Sequence, residues 1–270
     1  VMKENYEYAY GKSNGDYILL MGSDDGLLLH CIELLSMIIK KLNRPKSITW
    51  DPIAYGWPNV AINSIRNGLY ISYPSQKNNI KYSCYGESYL KAVLNFEARY
   101  SVLPMFYYNS IVKRDLVEEA KKIAGRIFYA SADVSTGLMF AYLQKEYIHI
   151  NVPMTIGGSS KKSVGLSYIN DISKSEYDKF RYEMEQLKKY NNITADCDLF
   201  YMPSFATEET AVLISFIIAK SLFLKQDKEF NVNMYNYYKA CTKYLFNDND
   251  FEKKKMYLFH CTDDANFVKI

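Results

Sequence analysis

Apolar positions along the chain alternate between short unbroken runs and helical stripes. Tyr17–Met21 is continuous after Asn14-Gly15-Asp16, the pattern of a buried strand in a parallel sheet. The run ends at Gly22-Ser23-Asp24-Asp25-Gly26. Leu28, Ile32, Leu35, Ile39 and Leu42 then recur at intervals of four and three, predicting an amphipathic helix stopped by Asn43-Arg44-Pro45. Ser47–Trp50 reads as a second strand, leading into a loop around Pro52 and Trp57-Pro58. The stretch Leu69–Tyr82 reads as a polar hairpin or excursion with a loop at 74–79, and a helical segment is predicted near 88–98. Val112, Leu116, Ala120 and Ile123 predict a helix over 109–124 that closes at Gly125. Ile127–Tyr129 suits a short strand. A helix follows Ser131-Ala132-Asp133 through Leu138, Ala141 and Tyr142, then a strand at Tyr147–Val152 closed by Pro153. Gly157-Gly158-Ser159-Ser160 is a loop of small residues.

After about residue 170 the pattern becomes helix upon helix. Ser173 and Glu176 have capping-box spacing, with Tyr177, Phe180, Met184 and Leu187 on one stripe. Residues 208–226 are apolar on nearly all sides, and 233–246 make a tyrosine-rich helix. The expected architecture is an α/β core over 1–170 and a helical region over 171–270.

Composition narrows the function classes. Thirty-three basic against 30 acidic residues leave +3, so nothing calls for nucleic acid, and Lys253-Lys254-Lys255 reads as a solvated face. The 5 cysteines contain no CxxC pair and the 3 histidines are dispersed, which fits a reducing compartment and argues against structural zinc. The longest apolar stretch, Ala211–Leu224, is broken by Lys220 and too short to span a bilayer. A cytoplasmic protein is expected. Contact with the inner face of the membrane remains open, since it needs no spanning helix. The 26 tyrosines fit either compositional drift or aromatic platforms for sugars.

Three features carry candidate chemistry. Asp24 and Asp25 follow a predicted strand, where open α/β sheets place ligands. Oxygen ligands there suit Mg²⁺ or Mn²⁺ beside a diphosphate; alternatively, one of the pair caps the next helix. Asp133 opens a helix, either as its cap or as a general base. The 157–165 segment could offer backbone N–H groups and lysines to a diphosphate, or be a surface turn. It is not a Walker A loop, and no nucleophile elbow accompanies its serines.

In order, these segments resemble the family 2 glycosyltransferases. Asn14-Gly15-Asp16-Tyr17-Ile18 followed by Ser23-Asp24-Asp25-Gly26-Leu27-Leu28 is similar to that family's A-x-G-[DE]-Y-I strand and acidic cluster. Asp133-Val134-Ser135-Thr136-Gly137 and Pro153–Gly165 are similar to its P-D-V-x-x-G and P-x-x-I-x-G-x-S-x-x-S-x-G segments. Ser23 stands where many members carry a further acid, and Ala132 where proline is usual. The likeness spans roughly residues 8–168.

The resemblance implies a GT-A, Rossmann-like core and an inverting transfer from a nucleoside-diphosphate sugar to a saccharide or lipid-linked acceptor. It implies Asp25 as metal ligand with Asp24 beside it, nearer the ribose or diphosphate. Asp133 would be the base, and Gly158, Ser159, Ser160 and Lys161 would hold the donor. It further implies that the β–α units binding the nucleotide base precede the segment beginning at Val1, so that this piece is not expected to turn over alone. Rival readings are a non-catalytic relative kept as a scaffold, with Ser23 marking a decayed metal site, and a metal-dependent nucleotidyltransferase.

Overall fold

A computed structural model of the chain describes residues 2–60, 62–71, 81–129, 131–161, 163, 208–224 and 227–242. The expected helix through Ser173, Glu176 and Leu187, the loop at 74–79 and the lysines at 253–255 lie outside them, as do residues 225–226 and 243–246 of the last two predicted helices.

The described residues form a mixed α/β structure. In chain order the elements are α1 Met2–Lys12, β1 Tyr17–Ile18, β2 Gly26–Leu27, α2 Cys31–Lys41, β3 Ser47–Trp50, β4 Ile53–Gly56, β5 Leu69–Tyr70, β6 Lys81–Tyr85 and α3 Gly86–Leu94. They continue with β7 Ser110–Lys113, α4 Arg114–Ala124, α5 Ala132–Leu143, β8 Glu146–Ile150, β9 Thr155–Ser159, α6 Glu208–Leu222 and α7 Met234–Thr242. One sheet has the order β1-β7-β3-β8-β6 and the other β2-β9-β4-β5. Only β3–β8 and β4–β9 pair in parallel; the other pairings are antiparallel.

The mixed sheets revise the first prediction. The run at Tyr17–Met21 supplies only a two-residue edge strand, antiparallel to β7. Its apolar character reflects burial of Ile18 and Leu20 against a helical core, which periodicity cannot tell from burial inside a parallel sheet.

Residues 110–113 are strand rather than the first turn of a helix. Ile111 and Val112 are β-branched and point to opposite faces of β7. Ile111 joins α2, Trp50 and Ile150, whereas Val112 joins Tyr10, Leu116 and Met139. A strand clothed on both sides needs apolar residues at consecutive positions, and that run merges with the stripe of α4. The helix then ends as expected, with Gly125 at φ 77°, a left-handed conformation glycine adopts without steric cost.

Two other expectations change. Of the two readings of Leu69–Tyr82, the hairpin does not hold for its described ends: β5 pairs with β4 in one sheet and β6 with β8 in the other. Ile127–Tyr129 is buried but has no ladder partner among the described residues. Instead the N–H groups of Ile127 and Phe128 both donate to Glu7 Oε1 on α1, at 2.7 and 3.0 Å. One carboxylate thus does what a neighbouring strand would have done for these buried donors.

The helices α1, α4, α5 and α6 enclose one core around Phe106, Phe128 and Phe140. A second joins α3, α5 and α6 through Leu90, Leu138 and Ala219. In the third, Cys31 and Leu35 of α2 pack on Ile48 and Trp50 of β3.

Candidate functional site

The site forms where the chain leaves β1, turns at residues 22–25 and enters β2, which pairs with β9. That pairing sets Gly26 opposite Ile156 and Leu27 opposite Thr155, bringing the acidic turn against the glycine–serine segment. Residues 157–159, expected as part of a loop, are strand, because β9 is held between β2 and β4.

The two aspartates have different environments. Asp25 turns inward: its Oδ2 accepts the Gly22 N–H at 2.7 Å and its Oδ1 the Gly158 N–H at 3.0 Å. The Tyr107 hydroxyl also hydrogen-bonds it. Burial raises its pKa above the ordinary aspartate range, and these bonds only partly oppose the rise. Asp24 faces outward. Its Oδ2 accepts the hydroxyls of Ser160 at 3.1 Å and Ser163 at 2.5 Å. Its backbone carbonyl accepts the Trp57 indole N–H at 2.9 Å.

Such close approach needs glycine at two positions. A Cβ on Gly158 would lie 1.7 Å from the Asp24 carbonyl oxygen, and one on Gly22 would lie 2.5 Å from the Tyr107 hydroxyl and 2.9 Å from Asp25 Oδ2.

A cleft of about 420 Å³ opens beside this junction, lined by Ser23, Asp24, Trp57, Pro58, Asn59 and Ser160. Of the residues expected to hold a donor, Asp24 and Ser160 line the cleft. Gly158 and Ser159 form its backing strand, and Lys161 is exposed beyond it.

Asp133 lies on α5, where Ser131 takes the N-cap position and Asp133 the first turn. Its Oδ1 accepts the Val134 N–H at 2.9 Å, and Tyr100 supplies a side-chain hydrogen bond. Burial raises its pKa, these bonds oppose the rise, and Glu208 on α6 adds to it. The first-turn position favours the ionised form through the helix dipole.

Tyrosines connect the two halves of the site. Burial, and after it the charges of Asp25 and Asp133, raise the pKa of Tyr6, Tyr107 and Tyr108, that of Tyr108 to about 12 in all. Asp24 acts on Tyr6 and Tyr108 as well. The acidic turn and Asp133, more than a hundred residues apart in sequence, therefore border one tyrosine cluster. The Tyr107 and Tyr108 rings are 4.6 Å apart, and Tyr108 lies against the backbone of Gly157, where a Cβ would come within 2.9 Å of its ring. Sequence patterning missed these tyrosines: Tyr107 and Tyr108 sit in a loop without period, and Tyr6 belongs to a helix whose polar residues hide its stripe.

Among the described residues no group of three or more His, Cys, Asp or Glu side chains converges. The donor set still fits a magnesium-like ion. Such an ion needs only one or two carboxylates when substrate phosphates and water complete its octahedron, and Asp24 Oδ1 accepts no hydrogen bond from the described residues. Asp25, engaged through both oxygens, fits the ion less well than Asp24.

No protein-family model matches the chain, and no curated protein sequence does. Among solved structures, it is similar to S. aureus TarS residues 1–349 in complex with UDP-GlcNAc, with a TM-score of 0.42 at 8% identity, over 88% of this chain and 59% of that chain. The chain thus spans under two thirds of that structure's length. A likeness of this degree says nothing about chemistry.

Proposed function

We propose that the chain is the catalytic portion of a glycosyltransferase of the GT-A type. It would move a sugar from a nucleoside-diphosphate donor to a saccharide or lipid-linked hydroxyl with inversion. What supports this reading is that Asp25 and Asp133 both act electrostatically on Tyr6, Tyr107 and Tyr108, while Asp24 of the same turn lines an open cleft whose lining, among the described residues, does not include Asp133.

In this reading Asp133, ionised, takes the proton of the acceptor hydroxyl as its oxygen attacks the anomeric carbon. The bond from that carbon to the diphosphate oxygen breaks, and the nucleoside diphosphate leaves with the electron pair. Asp133 suits the task because burial lifts its proton affinity while the Val134 N–H and Tyr100 fix its orientation. Ser160 and Ser163 hold Asp24 at the cleft, and Asp25 ties the turn to β9. A divalent ion, when bound, would sit at Asp24 and supply charge neutralisation for the departing diphosphate.

No helix among the described residues is long and apolar enough to cross a membrane.

The test is turnover of UDP- and GDP-sugars by the protein with any upstream units in place, with Mn²⁺ or Mg²⁺ and a saccharide acceptor. Release of nucleoside diphosphate, lost in Asp133→Asn with donor affinity retained, is the expected result. Release of pyrophosphate would indicate a nucleotidyltransferase instead. No product with any donor would leave the scaffold reading.

A further inference from the structure

Trp57 borders the cleft but takes no part in the chemistry above. It is 41% exposed, so part of the ring face is open to a ligand in the cleft. The ring is also fixed. Its indole N–H donates to the Asp24 carbonyl at 2.9 Å, and its backbone N–H donates to the Ser159 carbonyl at 2.9 Å. Tyr55 packs against it edge-on, with centroids 5.1 Å apart at 82°. Even the backbone beneath is kept bare, because a Cβ on Gly158 would stand 2.7 Å from Trp57 Nε1.

A rigid aromatic plate therefore borders a cavity whose rim carries the hydroxyls of Ser23 and Ser160, the Asn59 amide and the Asp24 carboxylate. An apolar plate with a few convergent polar groups suits a ligand with one C–H face and hydrogen-bonding edges. A pyranose ring has that form, with ring hydrogens over the indole and hydroxyls toward the rim. We propose that Trp57 is the stacking platform for a pyranose ring in this cleft. This rests on the transferase reading and names the part of the substrate the cleft receives.

The protein contains 2 tryptophans, and Trp50 is 1% exposed, so iodide quenching of fluorescence reports on Trp57. Quenching is measured with UDP-glucose, UDP-N-acetylglucosamine and GDP-mannose, with UDP and GDP alone, and with maltotriose and cellobiose, each with calorimetry in parallel. Protection by a sugar nucleotide beyond that of its nucleotide supports the platform and assigns it to the donor sugar. Protection by a free oligosaccharide supports it and assigns it to the acceptor. Trp57→Phe, which keeps an aromatic ring but loses the N–H tether, should weaken the protecting ligand about tenfold and weaken the nucleotide alone by less. Equal protection by UDP or GDP alone overturns the proposal in favour of base stacking. Calorimetric binding of a sugar nucleotide with quenching unchanged by it and by both oligosaccharides overturns it too, while leaving the transferase reading intact. Absence of heat and of turnover with every sugar nucleotide ends both.

Discussion

Gly158→Ala tests the junction most directly. The added methyl would sit 1.7 Å from the Asp24 carbonyl oxygen, 2.6 Å from its carbon and 2.7 Å from Trp57 Nε1. Two of these are backbone atoms, so rotating a side chain cannot relieve the overlap and the turn must leave β9. Doing so breaks the Gly158 N–H bond to Asp25, at 3.0 Å, and strains the indole bond to Asp24, at 2.9 Å. A charge-assisted bond contributes about 1.5–3 kcal/mol and a neutral one about 0.5–1.5; overpacking adds about 1–3. Together that is about 3–7 kcal/mol, a large share of a typical domain's stability of roughly 5–15. At roughly 2–4 °C per kcal/mol, the lower end already lowers Tm by about 6–12 °C, and donor affinity should fall with it. Gly11 is the control: nothing lies within 4 Å of a Cβ there and it sits inside α1, so Gly11→Ala should gain about 0.5–1 kcal/mol. Scanning calorimetry and donor titration of both variants decide the matter. A Gly158→Ala protein melting within 2 °C of wild type would refute the described packing.

Asp133 predicts a divergence of stability from activity. A raised folded pKa means its contribution is fully present below the unfolded value and is lost as pH rises from about 3.8 through the folded pKa. At pH 7 its buried charge is therefore a cost, and Asp133→Asn should melt at or above the wild-type temperature while losing transfer; a large drop in Tm at pH 7, not seen near pH 3, would contradict this. By the same shift the acid limb of kcat should lie above the ordinary aspartate range in a pH–rate profile, and a limb at or below about 4 would remove Asp133 from it. Glu7→Ala deprives two buried N–H groups of their acceptor and should cost about 2–4 kcal/mol, read from the urea midpoint. A change under 0.5 kcal/mol would mean that water replaces the carboxylate.

Elements set by local patterning were legible in the sequence. The existence of α2, the strand at Ser47–Trp50, the stop at Gly125 and the helix opening around Asp133 all follow local periodicity or turn chemistry, but the buried face of α2 runs through Cys31 and Leu35, and Ile32 of the expected stripe is 66% exposed. The misread elements answer to partners distant in sequence. Residues 110–113 have no period of their own because two cores claim adjacent side chains. Leu69–Tyr70 and Lys81–Tyr85 look like a hairpin until each is found in a different sheet. α1 carries too many polar residues for Tyr6 and Tyr10 to show as a stripe, yet both pack on the core. For the site, spacing and resemblance singled out Asp24, Asp25, Asp133 and Ser160, but could not show which aspartate faces inward. That depends on Gly22, Gly158 and Tyr107, and the closeness of Gly158 to Asp24 is not written in either segment alone.

The adjacent aspartates are divided between architecture and solvent, and this bears on how the protein can change over generations. A lineage that replaced Asp24 would lose its bonds from Ser160 and Ser163 but keep the indole anchor, because that carbonyl belongs to the backbone and survives any side chain. One that replaced Asp25 would loosen the turn and displace its neighbour as well. On the proposed transferase reading, descendants that abandon catalysis are expected to shed the outer acid first and retain the inner one.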